Sequence, residues 1–157
     1  MSKLDENERW KSKMLLTEHV EQYEQQHLPH PGKIITAEER TMLRDCILLP
    51  YMETMVQKSI AEIEYSTHIL KRLYLAAGQY ILEQIMKDLY RLRRELKQRN
   101  IRILTEEQSD LVVYHYFYCR GYKERFGMTR DVMKAEISIR LTRYIAEAGE
   151  LLKKGST

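Results

Sequence analysis

The side chains able to do acid–base or ligand chemistry near neutral pH are five histidines, and their spacing gives them little to work with. His27 and His30 stand in the stretch His27-Leu28-Pro29-His30-Pro31-Gly32, and Glu24-Gln25-Gln26-His27 forms a single Glu-x-x-His. A carboxylate-bridged metal bundle needs that motif on two helices, with a glutamate from each of two others. The chain holds no second copy, and Glu64 precedes its histidine, His68, by four residues. The linker histidines therefore read as solvated. There is no Gly-rich phosphate loop, no nucleophile elbow, and no glycine-flanked serine or cysteine with a histidine placed to activate it. The expectation is a protein that is not an enzyme, with no catalytic, cofactor-binding or metal-ligating residues and no cofactor. An enzyme or metal protein whose site gathers distant residues such as His68, His115 and Glu64 is the alternative that one sequence leaves open.

Two groups of residues suit binding rather than catalysis. In the run from Lys87 to Arg102, Lys87, Arg91 and Arg94 fall on one side of a helix with Lys97 beside them, opposite a stripe of leucines. This face could meet a nucleic acid or another anionic partner, but Glu83, Asp88 and Glu95 are interleaved at helical spacing and discharge part of it. In Leu111-Val112-Val113-Tyr114-His115-Tyr116-Phe117-Tyr118-Cys119, Tyr114, Tyr116 and Tyr118 alternate with His115 and Phe117. One strand face thus presents three phenols, which suits a contact surface half in the core and half at its rim, or a platform for stacked bases.

The elements that must position these groups are mostly helical. An amphipathic helix is expected within residues 1–26, followed by a Pro/Gly linker over 27–35 and a helical domain over 36–157. Thr36-Ala37-Glu38-Glu39 is a capping box that starts a helix, and Pro50 is expected to kink or split it. Apolar residues then recur with a helical period as far as Asn100. An unbroken helix of that length would outrun a domain of this size, so a turn is expected near Leu75–Gln79 at Gly78, the only glycine there. A turn at Tyr65-Ser66-Thr67 is the second choice. The result is an antiparallel helix hairpin, Tyr51–Tyr74 on Tyr80–Gln98. Leu75, Leu82, Leu89 and Leu96, with Ile85 and Leu92, read as a stripe packed within this bundle. Beyond Asn100 the pattern favours a β-hairpin near 101–120, ending at Arg120-Gly121-Tyr122, and a last helix capped by Thr129. The fold expected is mainly α, α+β by strict count: a helical bundle with a small β-hairpin.

Composition bounds the rest. The chain has 157 residues and a net charge of +3. Residues 1–65 hold 8 Lys/Arg against 12 Asp/Glu, and residues 66–157 hold 18 against 11. Such a split suits either halves that attract each other or an anionic partner. Cys46 and Cys119, far apart and without ligand spacing, read as free thiols in a reducing compartment. The polar N-terminus and the lack of a long apolar run predict no signal peptide and no membrane anchor.

The helix opened by Leu49-Pro50, the basic run Lys97-Gln98-Arg99-Asn100-Ile101-Arg102-Ile103, the aromatic strand closing on Arg120-Gly121-Tyr122, and Arg140-Leu141-Thr142-Arg143-Tyr144-Ile145 together resemble a family of small uncharacterised proteins from spore-forming Bacillus relatives. The resemblance covers about residues 44–146. It implies a bacterial, cytoplasmic setting and brings no activity, cofactor or site residue with it. With eight methionines and eleven tyrosines, residue types that suit adaptable contact surfaces, the chain reads as a small interaction or regulatory protein. It is expected to meet a protein partner or a second copy of itself, with nucleic-acid binding as the alternative.

Overall fold

The computed structural model describes residues 34–155; the expected N-terminal helix and the linker up to residue 33 lie outside the described residues. Element order is α1 (Ala37–Glu64), α2 (Lys71–Gln98), β1 (Ile101–Gln108), β2 (Val112–Cys119), β3 (Tyr122–Thr129) and α3 (Arg130–Lys154). The fold is mainly α with a small antiparallel sheet.

The start of α1 is dictated locally. The Glu39 amide donates to the Thr36 hydroxyl at 3.1 Å, and the Thr36 amide donates to the Glu39 carboxylate at 3.1 Å. This reciprocal cap satisfies two backbone donors and is worth about 1 kcal/mol. Pro50 does not split the helix: α1 runs through it. The proline has no N–H for the Cys46 carbonyl, and the local loss is outweighed by burial of Leu48, Leu49 and Met52 around it.

The helix hairpin exists, but its turn is not at Gly78. α1 ends at Tyr65, whose amide donates to the Ala61 and Ile63 carbonyls, and the Ser66 hydroxyl donates to the Ile63 carbonyl at 2.7 Å. Gly78 lies inside α2, where a Cβ would come within 2.9 Å of Ile60 Cγ1. The glycine serves the close approach of two helices instead of breaking one, so the hairpin pairs Ala37–Glu64 with Lys71–Gln98. The second-choice turn, at Tyr65-Ser66-Thr67, is the observed one.

At the other end of α2, Asn100 takes a positive φ of 56°, a conformation asparagine tolerates better than most residues, and sends the chain into β1. The sheet has three strands, not two, in the order β1-β2-β3. Arg120 and Gly121, with φ of 48° and 93°, form a two-residue turn of the kind whose twist suits a hairpin. β3 then pairs with β2 from Cys119↔Tyr122 to Val112↔Thr129. β3 is an edge strand with only Met128 buried, and it carries Lys123 and Arg125 outward, as edges exposed to water require.

Val113, His115, Phe117 and Cys119 face the helices and are buried. They close a core with Leu43, Ile47, Leu48 and Met52 of α1 and Ile85, Leu89, Leu92 and Leu96 of α2. The Thr129 hydroxyl accepts the Val132 amide at 3.2 Å and caps α3. Met133, Ile137 and Ala148 are the buried residues of that helix. Arg140 clamps α3 to the body, with its guanidinium on Asp45 of α1 and on Glu136, and the Tyr144 hydroxyl donates to Asp88 of α2.

The core occupies one end of the helix hairpin. Among the described residues, no side chain between Glu53 and Tyr80 is buried. The distal twelve residues of α1, about 18 Å at 1.5 Å per residue, form an arm with the first turns of α2.

Candidate functional site

Where β1 and β2 meet α1 and α2, the chain encloses an open cleft of about 970 Å³. Its position follows from a defect in strand pairing. Ile101 stands opposite Cys119 and Ile103 opposite Phe117, but the register then shifts and Glu106 stands opposite His115. One extra residue in β1 turns Glu106, in place of Thr105, to the face that looks at the helices; bulges often re-aim side chains in this way beside functional sites. The Tyr51 hydroxyl, one residue after Pro50, donates to Glu106 Oε2 at 2.8 Å, and Gln108 Nε2 donates to Glu106 Oε1 at 2.9 Å.

The cleft's walls are apolar, with Ile47, Leu96, Ile101 and Ile103 among them, while Arg93, Lys97 and Arg102 bring positive charge to it. None of these three is in an ion pair among the described residues. His115 lines the cleft, is 5% exposed, and its buried Nε2 has no hydrogen-bond partner. Burial lowers the His115 pKa against the pull of Glu106, so the ring is neutral at neutral pH. Burial pushes the Glu106 carboxyl up, and hydrogen bonds from Gln108 and Tyr51 with His115 nearby outweigh it, leaving it below the usual range. Burial and the Glu106 carboxylate push the Tyr51 phenol up to about 12. Cys46 also lines the cleft, and burial raises its thiol against the pull of Arg93, so it is not a thiolate nucleophile at neutral pH.

The residues singled out from sequence do not converge here. Lys87, Arg91 and Arg94 lie exposed on α2, with Arg91 shared between Asp88 at 3.7 Å and Glu95 at 3.8 Å. Lys97 alone of that group reaches the cleft. Tyr114, Tyr116 and Tyr118 occupy the sheet face away from the helices, where protein cations already cover two of the rings. The Arg125 guanidinium lies 4.5 Å from the Tyr114 ring centre and Lys123 Nζ 5.2 Å from that of Tyr116. The Tyr116 hydroxyl donates to Glu107. His68 sits at the far end of the arm against Tyr74, with ring centres 5.4 Å apart. His68, His115 and Glu64 are not gathered: among the described residues no group of three or more His, Cys, Asp or Glu could hold a metal ion. His27 and His30 lie outside the described residues. Sequence reasoning missed Tyr51 and Glu106, because only the bulge brings Glu106 to His115.

The arm is a second feature. It exposes Met55, Leu70, Leu73 and Tyr74, and at its tip Tyr65 and Ile69 are 89% and 95% exposed. Leu73 and Tyr74 of α2, with Leu70 at its N-cap, lie on one side by their spacing. No helix among the described residues is long and apolar enough to cross a membrane.

The YhjD protein family model matches residues 34–149, the whole of the helix hairpin and sheet and most of α3. The uncharacterised protein YhjD of Bacillus subtilis (strain 168) is 29% identical over 104 residues, covering 66% of this chain and 87% of the relative. No solved structure matches the chain. With the family model spanning well over half of its residues, the chain belongs to the YhjD protein family.

Proposed function

We propose that this is a non-enzymatic interaction protein of the bacterial cytoplasm that associates with a second copy of itself through the arm formed by the distal halves of α1 and α2. One observation carries the reading: the arm has no buried residue between Glu53 and Tyr80, yet it displays Met55, Tyr65, Ile69, Leu70, Leu73 and Tyr74 to solvent. Two helices alone cover one seam only partly, with Val56, Ile60, Ile63 and Leu75 half-buried here, and leave their outer faces wet. Two such hairpins packed together make a four-helix arrangement that buries both.

Charge favours a second copy as the occupant. Glu62 and Glu64 flank the apolar tip on α1, and Lys71 and Arg72 flank it on α2. The last turn of α1 has no basic residue and the first turn of α2 no acidic one, so both helices carry charges opposed to their own dipoles there. A two-fold contact sets the acidic flank of one copy against the basic flank of the other, which offsets that local cost. The buried thiols Cys46 and Cys119, neither in a disulfide, suit a reducing interior.

Hydrogen exchange of the full chain at low and high micromolar concentration tests the reading. Amides between Glu53 and Tyr80 should exchange more slowly at the higher concentration while those of β2 stay unchanged. Concentration-independent exchange throughout the arm overturns it.

A further inference from the structure

The cleft between α1, α2 and the sheet plays no part in the arm contact, and its chemistry is specific. We infer that it binds a small hydroxy-carboxylate with an apolar body: the body against Ile47, Leu96, Ile101 and Ile103, the anionic group at Arg93, Lys97 and Arg102, and a hydroxyl that pairs with His115 Nε2. Each part answers an observation. About 970 Å³ is at the upper end of the range small-molecule sites occupy, and such sites have apolar walls with a few placed polar groups.

A buried ring nitrogen without a partner leaves a strong hydrogen-bonding group unsatisfied. His115 Nε2 is in that state in a side chain 5% exposed. A neutral imidazole nitrogen pairs with a hydroxyl whichever of its tautomers is present, because a hydroxyl both donates and accepts. Glu106 serves the ligand less well, because its carboxylate is already engaged by Tyr51 and Gln108, can only accept, and repels a second anion. Among the described residues, the cleft lining holds this one carboxylate and three cations that carry no ion pair. The cleft therefore has a net positive charge, which selects an anion over a cation of the same shape.

Titration of the full chain with a hydroxynaphthoate carrying its hydroxyl and carboxylate on opposite rings, followed by nitrogen NMR of the histidine side chains, tests the assignment. Saturable shifts are expected at the His115 imidazole and at the amides from Ile101 to Glu106. Naphthoate, lacking the hydroxyl, and naphthol, lacking the carboxylate, should each bind more weakly. The Arg93→Ala/Lys97→Ala/Arg102→Ala variant should lose about tenfold in affinity, a modest loss for three exposed charges. Shifts confined to Tyr65–Tyr74, no shift at His115, or equal binding of hydroxynaphthoate and naphthol overturn the inference. If the triple variant does not fold, the comparison of the three probes on the unmodified protein still decides.

Discussion

Glu39 and Arg120, 81 residues apart in sequence, meet in a two-pronged ion pair in which both guanidinium nitrogens donate to the two carboxylate oxygens at 2.9 Å. Glu39 is 3% exposed and at the same time closes the cap of α1. Arg120 holds the positive-φ turn between β2 and β3. One carboxylate thus ties the first described helix to the far end of the sheet.

The Arg120 hydrogen bonds, opposed by burial and joined by Thr36, hold the Glu39 carboxyl down to about 2 from an ordinary 4.5. A depressed carboxylate stabilises the fold fully above its unfolded value, near pH 4.5, and that contribution is lost as pH falls towards 2. It corresponds to roughly 3 kcal/mol at about 1.4 kcal/mol per unit. Glu39→Gln should therefore be destabilised by about that much at neutral pH and show a shallower loss of stability on acidification, as read by urea unfolding across a pH series. An unchanged acid limb would show that the pair does not set it.

Part of this design is legible in the sequence. The Thr36/Glu39 box and the Thr129 cap are local, so residue types three positions apart reveal them. The aromatic alternation of β2 is likewise local, and its buried face, Val113, His115, Phe117 and Cys119, follows from a period of two. Long-range relationships are not legible. Gly78 looks like a breaker until Ile60 is seen packed where its side chain would be. β3 reads as loop because an edge strand must carry the charges of Lys123, Glu124 and Arg125. Nothing in Ile103-Leu104-Thr105-Glu106 announces the bulge that builds the cleft. Glu39 was readable as a cap and unreadable as the partner of Arg120.

The outer face of the sheet has its own constraint at Gly127, which stands opposite Tyr114. A Cβ there would lie 2.9 Å from two Tyr114 ring atoms and 3.3 Å from Val112 Cγ1. Gly127→Ala should destabilise by about 1–3 kcal/mol, the usual range for overpacking, and removing the ring with Tyr114→Ala should relieve most of that cost. A thermal-unfolding double-mutant cycle measures it, and strict additivity would mean that the ring yields freely and is available to other contacts.

His115 gives the opposite dependence on protonation to a paired histidine. Burial lowers its pKa below the ordinary 6.5 against the pull of Glu106, so the unfolded chain takes up this proton before the folded one does. Its contribution is full above about pH 6.5 and declines as pH falls from there towards the lowered value. Replacement by Phe should flatten the stability profile between about pH 5 and 7, the span in which an ordinary histidine titrates. An unchanged slope in that window would place the titrating group elsewhere.

Sedimentation equilibrium of the full chain beside an Ile69→Asp/Leu73→Asp variant tests the arm contact most directly. Both side chains are exposed, so the variant should keep its fold, because surface substitutions usually cost under about 0.5 kcal/mol. The unmodified chain should show a reversible monomer–dimer equilibrium at micromolar concentration, and the variant should remain monomeric. An unmodified chain that stays monomeric, or a variant that dimerises equally well, would contradict self-association through the arm.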